Sequence, residues 1–314
     1  MNYDVVVTVS FNPAIDTTVW LDKLEQGKEN FILREICDSA GKAVNVSRVL
    51  ENCGVKTTAV ILAGEENSEG YFNRLGEESV NFIPVYTQGK IRENISLVAP
   101  DKTITRLMRR GFVADHEAVS RVLSTVEAVA GEHALIVVSG RLPLGMDSES
   151  LADFCLKLKA RGLDIVLDTN SITMEDLLKV APKIIKPNLE ELEAITHSKL
   201  SNRSEILKAA LPMLHSGIEA ILVSAGDQGM LYVDQEAAYR VTVPKISVKS
   251  AVGAGDSMLA GFIFYRMKGR PIQDCIRYAA AFGTAACMVE GTNPPRKQDI
   301  DFVLKNTVAE RIPD

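Results

Sequence analysis

The sequence predicts an α/β protein: a mainly parallel sheet with helices on both faces. Short apolar runs alternate with longer amphipathic ones along nearly the whole chain, the order expected of strand and helix in turn. The short runs are mostly apolar on both alternating faces, as in strands covered on both sides. Most of them end in, or are followed within two residues by, Ser, Gly, Asp or Asn, the residues expected where the carboxyl ends of parallel strands line a crevice.

Taken in order, strands are read over residues 5–9, 58–62, 135–139, 165–168, 184–186 and 221–224. Helices are read over 41–53, 69–77, 148–161, 190–194, 204–216, 256–268 and 273–289. Two stretches, 19–36 and 92–109, alternate like strands but lack a fully apolar character. Pro100-Asp101-Lys102 reads as a hairpin turn between 95–98 and 104–107. The pattern fits a small separate sheet acting as a lid, and equally a peripheral antiparallel edge of the main sheet.

With 314 residues and 46% hydrophobic content, the chain can bury one large core, or one core plus a small accessory element. A net charge of −6 with no basic block argues against nucleic-acid and membrane-surface partners, so any cation used on a ligand must be local. Cys37, Cys53, Cys155, Cys275 and Cys287 are odd in number and show no C-x-x-C spacing, as expected of reduced thiols in a cytosol. No charged-then-apolar segment opens the chain and no run of about 18 apolar residues occurs, so the expectation is a soluble, cytoplasmic protein. His116, His133, His197 and His215 are not closely paired, which argues against a zinc site. Neither a G-x-x-x-x-G-K-[ST] loop nor a G-x-G-x-x-G turn follows a strand, which lowers Walker-type ATPases and dinucleotide dehydrogenases.

The most informative stretch is S-A-V-G-A-G-D-S-M-L, residues 250–259. Gly253, Ala254 and Gly255 leave their backbone amides free to close on an anion, and the following helix adds its own unbonded amides and positive dipole end. Asp256 stands at the rim of this anion hole. It reads either as an N-cap or as a base that takes the proton of a hydroxyl attacking a bound phosphate.

Further motifs run in order along the chain: F-N-P-A-I-D (11–16), S-A-G-K-A-V-N-V-S-R-V-L (39–50), I-R-E-N (91–94), S-G-R-L-P (139–143), K-P-N-L-E-E-L (186–192), V-S-A-G-D-Q-G (223–229) and V-G-A-G-D (252–256). On these the chain resembles the PfkB-type carbohydrate kinases of the ribokinase-like fold, in the branch that holds the 1-phosphofructokinases and tagatose-6-phosphate kinases. The resemblance implies a three-layer α/β/α sandwich forming one kinase domain over 1–314, with a β lid from about 17–36 and 91–110. It also implies ATP and Mg2+ as cofactors, a monovalent cation such as K+ near Ser250 and Val252, and a homodimer paired through the lid.

The same resemblance, joined to side-chain chemistry, assigns the site. Asp16 is a double acceptor for sugar hydroxyls, with a turn or cap as its plain alternative. Gly41 lets the backbone approach a ligand, Lys42 offers an ammonium to a phosphate, and Asn45 follows on the same helical face. Arg92 grips the phosphate already on the substrate through paired hydrogen bonds, with Asn94 beside it. Arg106, Arg109, Arg110 and Arg141 are further cations. Lys186 faces the ATP phosphates, while Ser224, Gly226 and Gly229 form a side-chain-poor turn for the nucleotide. Asn188 and Glu191 hold Mg2+ mainly through water, the alternative for Glu191 being a first-turn acid favoured by the helix dipole.

Ala40, Ala43 and Arg141 depart from the residues common in the family, which leaves the identity of the sugar open. The reading is phosphorylation of fructose 1-phosphate to fructose 1,6-bisphosphate, the alternatives being tagatose 6-phosphate as substrate or a non-catalytic sensor of sugar phosphate or nucleotide.

Overall fold

A computed structural model describes residues 3–78, 80–101 and 103–313. The chain opens with β1 (Val5–Ser10), β2 (Ala14–Leu21), β3 (Ile32–Ala40), α1 (Lys42–Asn52), β4 (Thr57–Gly64), α2 (Ser68–Glu77) and β5 (Phe82–Thr87). Next come β6 (Arg92–Val98), β7 (Ile104–Leu107), α3 (His116–Ala130), β8 (Ala134–Ser139), α4 (Ser148–Ala160), β9 (Asp164–Asp168), α5 (Met174–Val180) and β10 (Ile184–Ile185). The last part contains α6 (Leu189–Thr196), α7 (Arg203–His215), β11 (Ala220–Ser224), β12 (Met230–Asp234), β13 (Ala238–Thr242), α8 (Ala254–Met267), α9 (Ile272–Ala286), α10 (Lys297–Leu304) and β14 (Val308–Ile312).

Among the described residues the strands form two sheets. The large one has the order β14-β13-β12-β11-β10-β9-β8-β1-β4-β5, parallel from β11 to β5 and antiparallel from β11 to β14. Every residue of β1, β4 and β8 is buried, which is why these runs are mostly apolar and carry no charge. Alternate residues serve opposite cores. Val5, Val7 and Val9 join the core under α3 and α4, and Val6 joins the one under α1, α8 and α9. This is the mainly parallel three-layer sandwich that the sequence predicts.

The second sheet has the order β3-β2-β6-β7, with β2 parallel to β6 and the other pairs antiparallel. It is a separate sheet, not an edge of the large one, and its strands pass the boundaries read from sequence, starting at Ala14 and running to Ala40. β6 and β7 form the expected hairpin pair, though Lys102 of its turn lies outside the described residues. Another difference lies at α8, which starts at Ala254 because Gly253, with φ of 76°, takes the N-cap position. Asp256 is thus the third residue of the helix.

Candidate active site

The carboxyl ends of the parallel strands deliver Ser139 from β8, Asp168 from β9 and Ser224 from β11 to one edge of the large sheet. Lys186 follows β10 directly. Asp168 is buried, and its Oδ1 lies 3.3 Å from Lys42 Nζ and 3.2 Å from Lys186 Nζ. Its Oδ2 accepts a hydrogen bond from the Ser139 hydroxyl at 3.1 Å. Burial pushes this carboxyl up, but the two ammonium groups and the hydroxyl outweigh it and hold the group below the usual carboxylate range. For Lys42, burial works against the charge. Asp168, Asp256 and Glu191, whose Oε1 is 3.3 Å away, reverse that and raise its pKa.

Asp256 is buried in the first turn of α8. Its Oδ2 accepts from Asn45 Nδ2 at 2.7 Å, while Asn45 Oδ1 accepts from Arg48 at 2.9 Å. Burial and then the negative charge of Asp168 push the Asp256 carboxyl up to about 6; Lys42, Asn45 and Lys186 pull the other way. The first intrahelical bond here runs from Ser257 N to Gly253 O, so the amides of Ala254, Gly255 and Asp256 precede the ladder. A Cβ on Gly255 would lie 3.0 Å from Lys186 Nζ, which places that ammonium directly over the helix start.

On the other side stands the small sheet. Asp16 on β2 pairs in register with Asn94 on β6, and Asn94 Nδ2 donates to Asp16 Oδ1 at 2.7 Å. Burial raises the Asp16 pKa against the pull of Asn94, Arg92 and Arg106. Arg92 is half-buried and donates from Nε to Pro13 O at 3.3 Å. Burial and the positive charge of Arg141 act against its own charge, and Asp16 favours it. Gly41, at φ of 147°, joins β3 to α1, and a Cβ there would meet Ser10 Oγ at 3.4 Å. Arg106, Arg109, Arg110 and Arg141 are exposed. A cavity of 1210 Å³ opens beside Arg92, Arg109 and Arg110 and includes none of the residues around Asp256.

A second cavity of 710 Å³ reaches the start of α8. Asn188, Ser224, Gly226 and Gly229 line it, together with Ala254 and Gly255. Gly229 has φ of 88°, and a Cβ there would fall 2.0 Å from Val241 O, so only glycine fits. Asn188 and Glu191 form a reciprocal cap: Glu191 N donates to Asn188 Oδ1 at 2.7 Å and Asn188 N to Glu191 Oε2 at 2.9 Å. Both side chains are thus engaged with each other's backbone, and no cluster of three or more His, Cys, Asp or Glu that could hold a metal ion occurs among the described residues.

The structure therefore gathers Lys42, Asn45, Lys186, Glu191, Gly253, Ala254, Gly255 and Asp256 at one end of α8. Asn188, Ser224, Gly226 and Gly229 lie on one side, Asp16, Arg92, Asn94 and Arg141 on the other. Sequence reasoning missed two parts. One is Asp168, the shared counter-ion of Lys42 and Lys186, whose only signal was its place at the end of a strand. The other is the apolar wall of the second cavity, where Val243, Ile246 and Cys287 lie outside every motif.

A profile of pfkB family carbohydrate kinases matches residues 33–299. The 1-phosphofructokinase of Haemophilus influenzae is 31% identical over 285 residues, and that of Escherichia coli K12 29% identical over 281 residues, each covering 90% of both chains. In fold, the crystal structure of phosphofructokinase-2 from Escherichia coli superposes with a TM-score of 0.88 at 24% identity, over 96% of this chain and 98% of that one. A possible 1-phosphofructokinase of Thermotoga maritima gives 0.86 at 22% identity, over 98% and 100%.

Proposed function

Since the chain belongs to the pfkB family of carbohydrate kinases, we propose that it transfers the γ-phosphoryl group of ATP to fructose 1-phosphate, giving fructose 1,6-bisphosphate. Sugar-phosphate kinase activity is common to the named relatives, and the choice of sugar follows their named activity. The observation that carries the reading is Asp256: a buried carboxylate among the first-turn amides of α8, between a cationic polar crevice and an apolar cavity.

In this reading the primary hydroxyl of the sugar lies against Asp256, which accepts its proton as the oxygen attacks the γ-phosphorus in line. Gly253, Ala254, Gly255 and the Asp256 amide receive the charge spread over the transferring oxygens, with Lys42 and Lys186 flanking them. Arg92 grips the phosphate already on the sugar, with Arg141 next to it, and Asp16 and Asn94 hold sugar hydroxyls. The purine lies against Val243, Ile246 and Met258, and its phosphates pass Ser224, Gly226 and Gly229 toward α8. Magnesium carried by the nucleotide neutralises phosphate charge, and Glu191 and Asn188 meet it through water. A monovalent cation fits the loop before α8, where Val252 N donates to Ser250 Oγ at 3.2 Å.

The small sheet leaves Phe31, Ile32, Leu33, Ile104 and Leu107 exposed, which supports a homodimer paired through it. Five free thiols support a reducing, cytoplasmic setting, and no helix among the described residues is long and apolar enough to cross a membrane. A coupled kinase assay over fructose 1-phosphate, fructose 6-phosphate, tagatose 6-phosphate and plain fructose tests the reading. The expected result is the highest kcat/KM on fructose 1-phosphate; absence of turnover on every sugar phosphate overturns it.

A further inference from the structure

Arg48 sits one helical turn beyond Asn45 on α1, and it is buried, with 7% of its surface exposed. A buried guanidinium must be met on every side, and this one is. Its Nη1 donates to Asn45 Oδ1 at 2.9 Å and to Thr292 Oγ1 at 3.4 Å, its Nη2 donates to the Ser39 carbonyl, and its Nε pairs with Glu78. The carboxamide of Asn45 is thus caught between Arg48 and Asp256.

That arrangement permits only one orientation. A guanidinium has donors and no acceptor, while an ionised carboxylate has acceptors and no donor. Asn45 must therefore present its oxygen to Arg48 and its N–H2 to Asp256. If Asp256 took up a proton, a free carboxamide could rotate and accept from the new O–H, stabilising the acid. With Arg48 in place the same rotation would bring two donors face to face, and the acid loses that partner.

We propose that Arg48 is a positioning residue for the base: it locks Asn45 with its N–H2 toward Asp256 and so favours the carboxylate that accepts the proton. The inference rests on Asp256 acting as base. The other charged groups facing Asp256 are Lys42 from α1, Asp168 from the end of β9 and Lys186 after β10. α9, packed on α8, meets this turn with Gly283. Around Arg48 the charged and titratable neighbours are Glu78, Asp38 and Tyr71 of α2. Those groups stay in place when Arg48 alone is changed.

The test is the pH dependence of kcat in Arg48→Met, Arg48→Lys and Glu78→Gln. Arg48→Met should move the acid limb up by about one pH unit, the scale of one hydrogen bond to a charged acceptor, so that kcat falls about tenfold below the limb and recovers at high pH. KM for ATP should change less than about twofold. Arg48→Lys, which keeps a cationic donor, should return most of the shift. Glu78→Gln leaves the guanidinium facing Asn45 and should lower Tm without moving the limb. An unmoved limb in Arg48→Met overturns the proposal, as does an equal shift in Glu78→Gln. Should Arg48→Met fail to fold, the contrast between Arg48→Lys and Glu78→Gln decides: a limb displaced more by Glu78→Gln than by Arg48→Lys rejects it. Asp256→Asn separates the two levels, because near-normal turnover there removes the base itself, whereas an inactive Asp256→Asn with an unmoved Arg48→Met limb removes only the role of Arg48.

Discussion

The end of β9 and the first turn of α8 each bury an aspartate in the same crevice, and their surroundings drive the two in opposite directions. Asp168 meets two ammonium groups and a hydroxyl and is held ionised. Asp256 takes its hydrogen bond from a neutral carboxamide, feels the charge of Asp168, and is pushed up to about 6. Residue type and burial are the same, so the partners alone separate a fixed counter-ion from a group able to gain a proton near neutrality.

The sharpest way to break this division is to neutralise each carboxylate in turn. Asp256→Asn should lower kcat by about 10²–10⁴-fold with KM values little changed in steady-state assays, since only the proton acceptor is lost. Near-normal turnover would make Asp256 a structural acid like its neighbour. Asp168→Asn should act first on the fold. It strands the buried Lys186 and leaves Lys42 with Glu191 alone, at roughly 3–5 kcal/mol in denaturant unfolding. It should also move the acid limb of kcat down, because the like charge that raises Asp256 has gone.

A third substitution leaves both carboxylates alone. Arg92→Ala should raise KM for fructose 1-phosphate about 10–100-fold by removing a charge-assisted contact, with KM for ATP unchanged. The same rise for plain fructose would place the phosphate grip elsewhere.

The smallest effect is in stability against pH, and here the two aspartates differ in sign. Asp256 binds its proton more tightly folded than unfolded, so its contribution to stability falls as pH rises from its ordinary 3.8 through about 6. Asp168 has a lowered pKa, so its contribution is present above the ordinary value and is lost as pH falls through the folded one. Tm measured from pH 4 to pH 7 should therefore climb more steeply in Asp256→Asn than in the parent. Parallel curves would mean that Asp256 is not raised.

Much of this was legible in the sequence because burial on both faces leaves a run with no charged residue and few polar ones, as in β1, β4 and β8. Where a strand is covered on one side or stands at an edge, the signal fades. β5 contains Pro84 and lies at one end of the large sheet, where a missing donor costs nothing; β14, at the other end, is mostly exposed. Neither was read, nor were β12 and β13 or helices α3, α5 and α10. In the site, residues carried by glycine-rich or charged motifs were found, because such motifs constrain the backbone. Asp168 was not, since an aspartate ending a strand has many uses and its two cations come from residues 126 positions before and 18 after it.

The junction at Gly41 has a mechanical consequence. β3 enters α1 through that one residue, and the joint is stiff: the Tyr71 hydroxyl donates to the Ala40 carbonyl at 3.0 Å, and Arg48 holds that of Ser39. The strand of nine residues is an arm of about 30 Å, while Lys42 stands beside the fulcrum. A tilt of several ångströms at the far tip is thus geared down to a fraction of an ångström at the ammonium that Asp168 and Glu191 share. A force on that tip would therefore reach the crevice as a small displacement of Lys42.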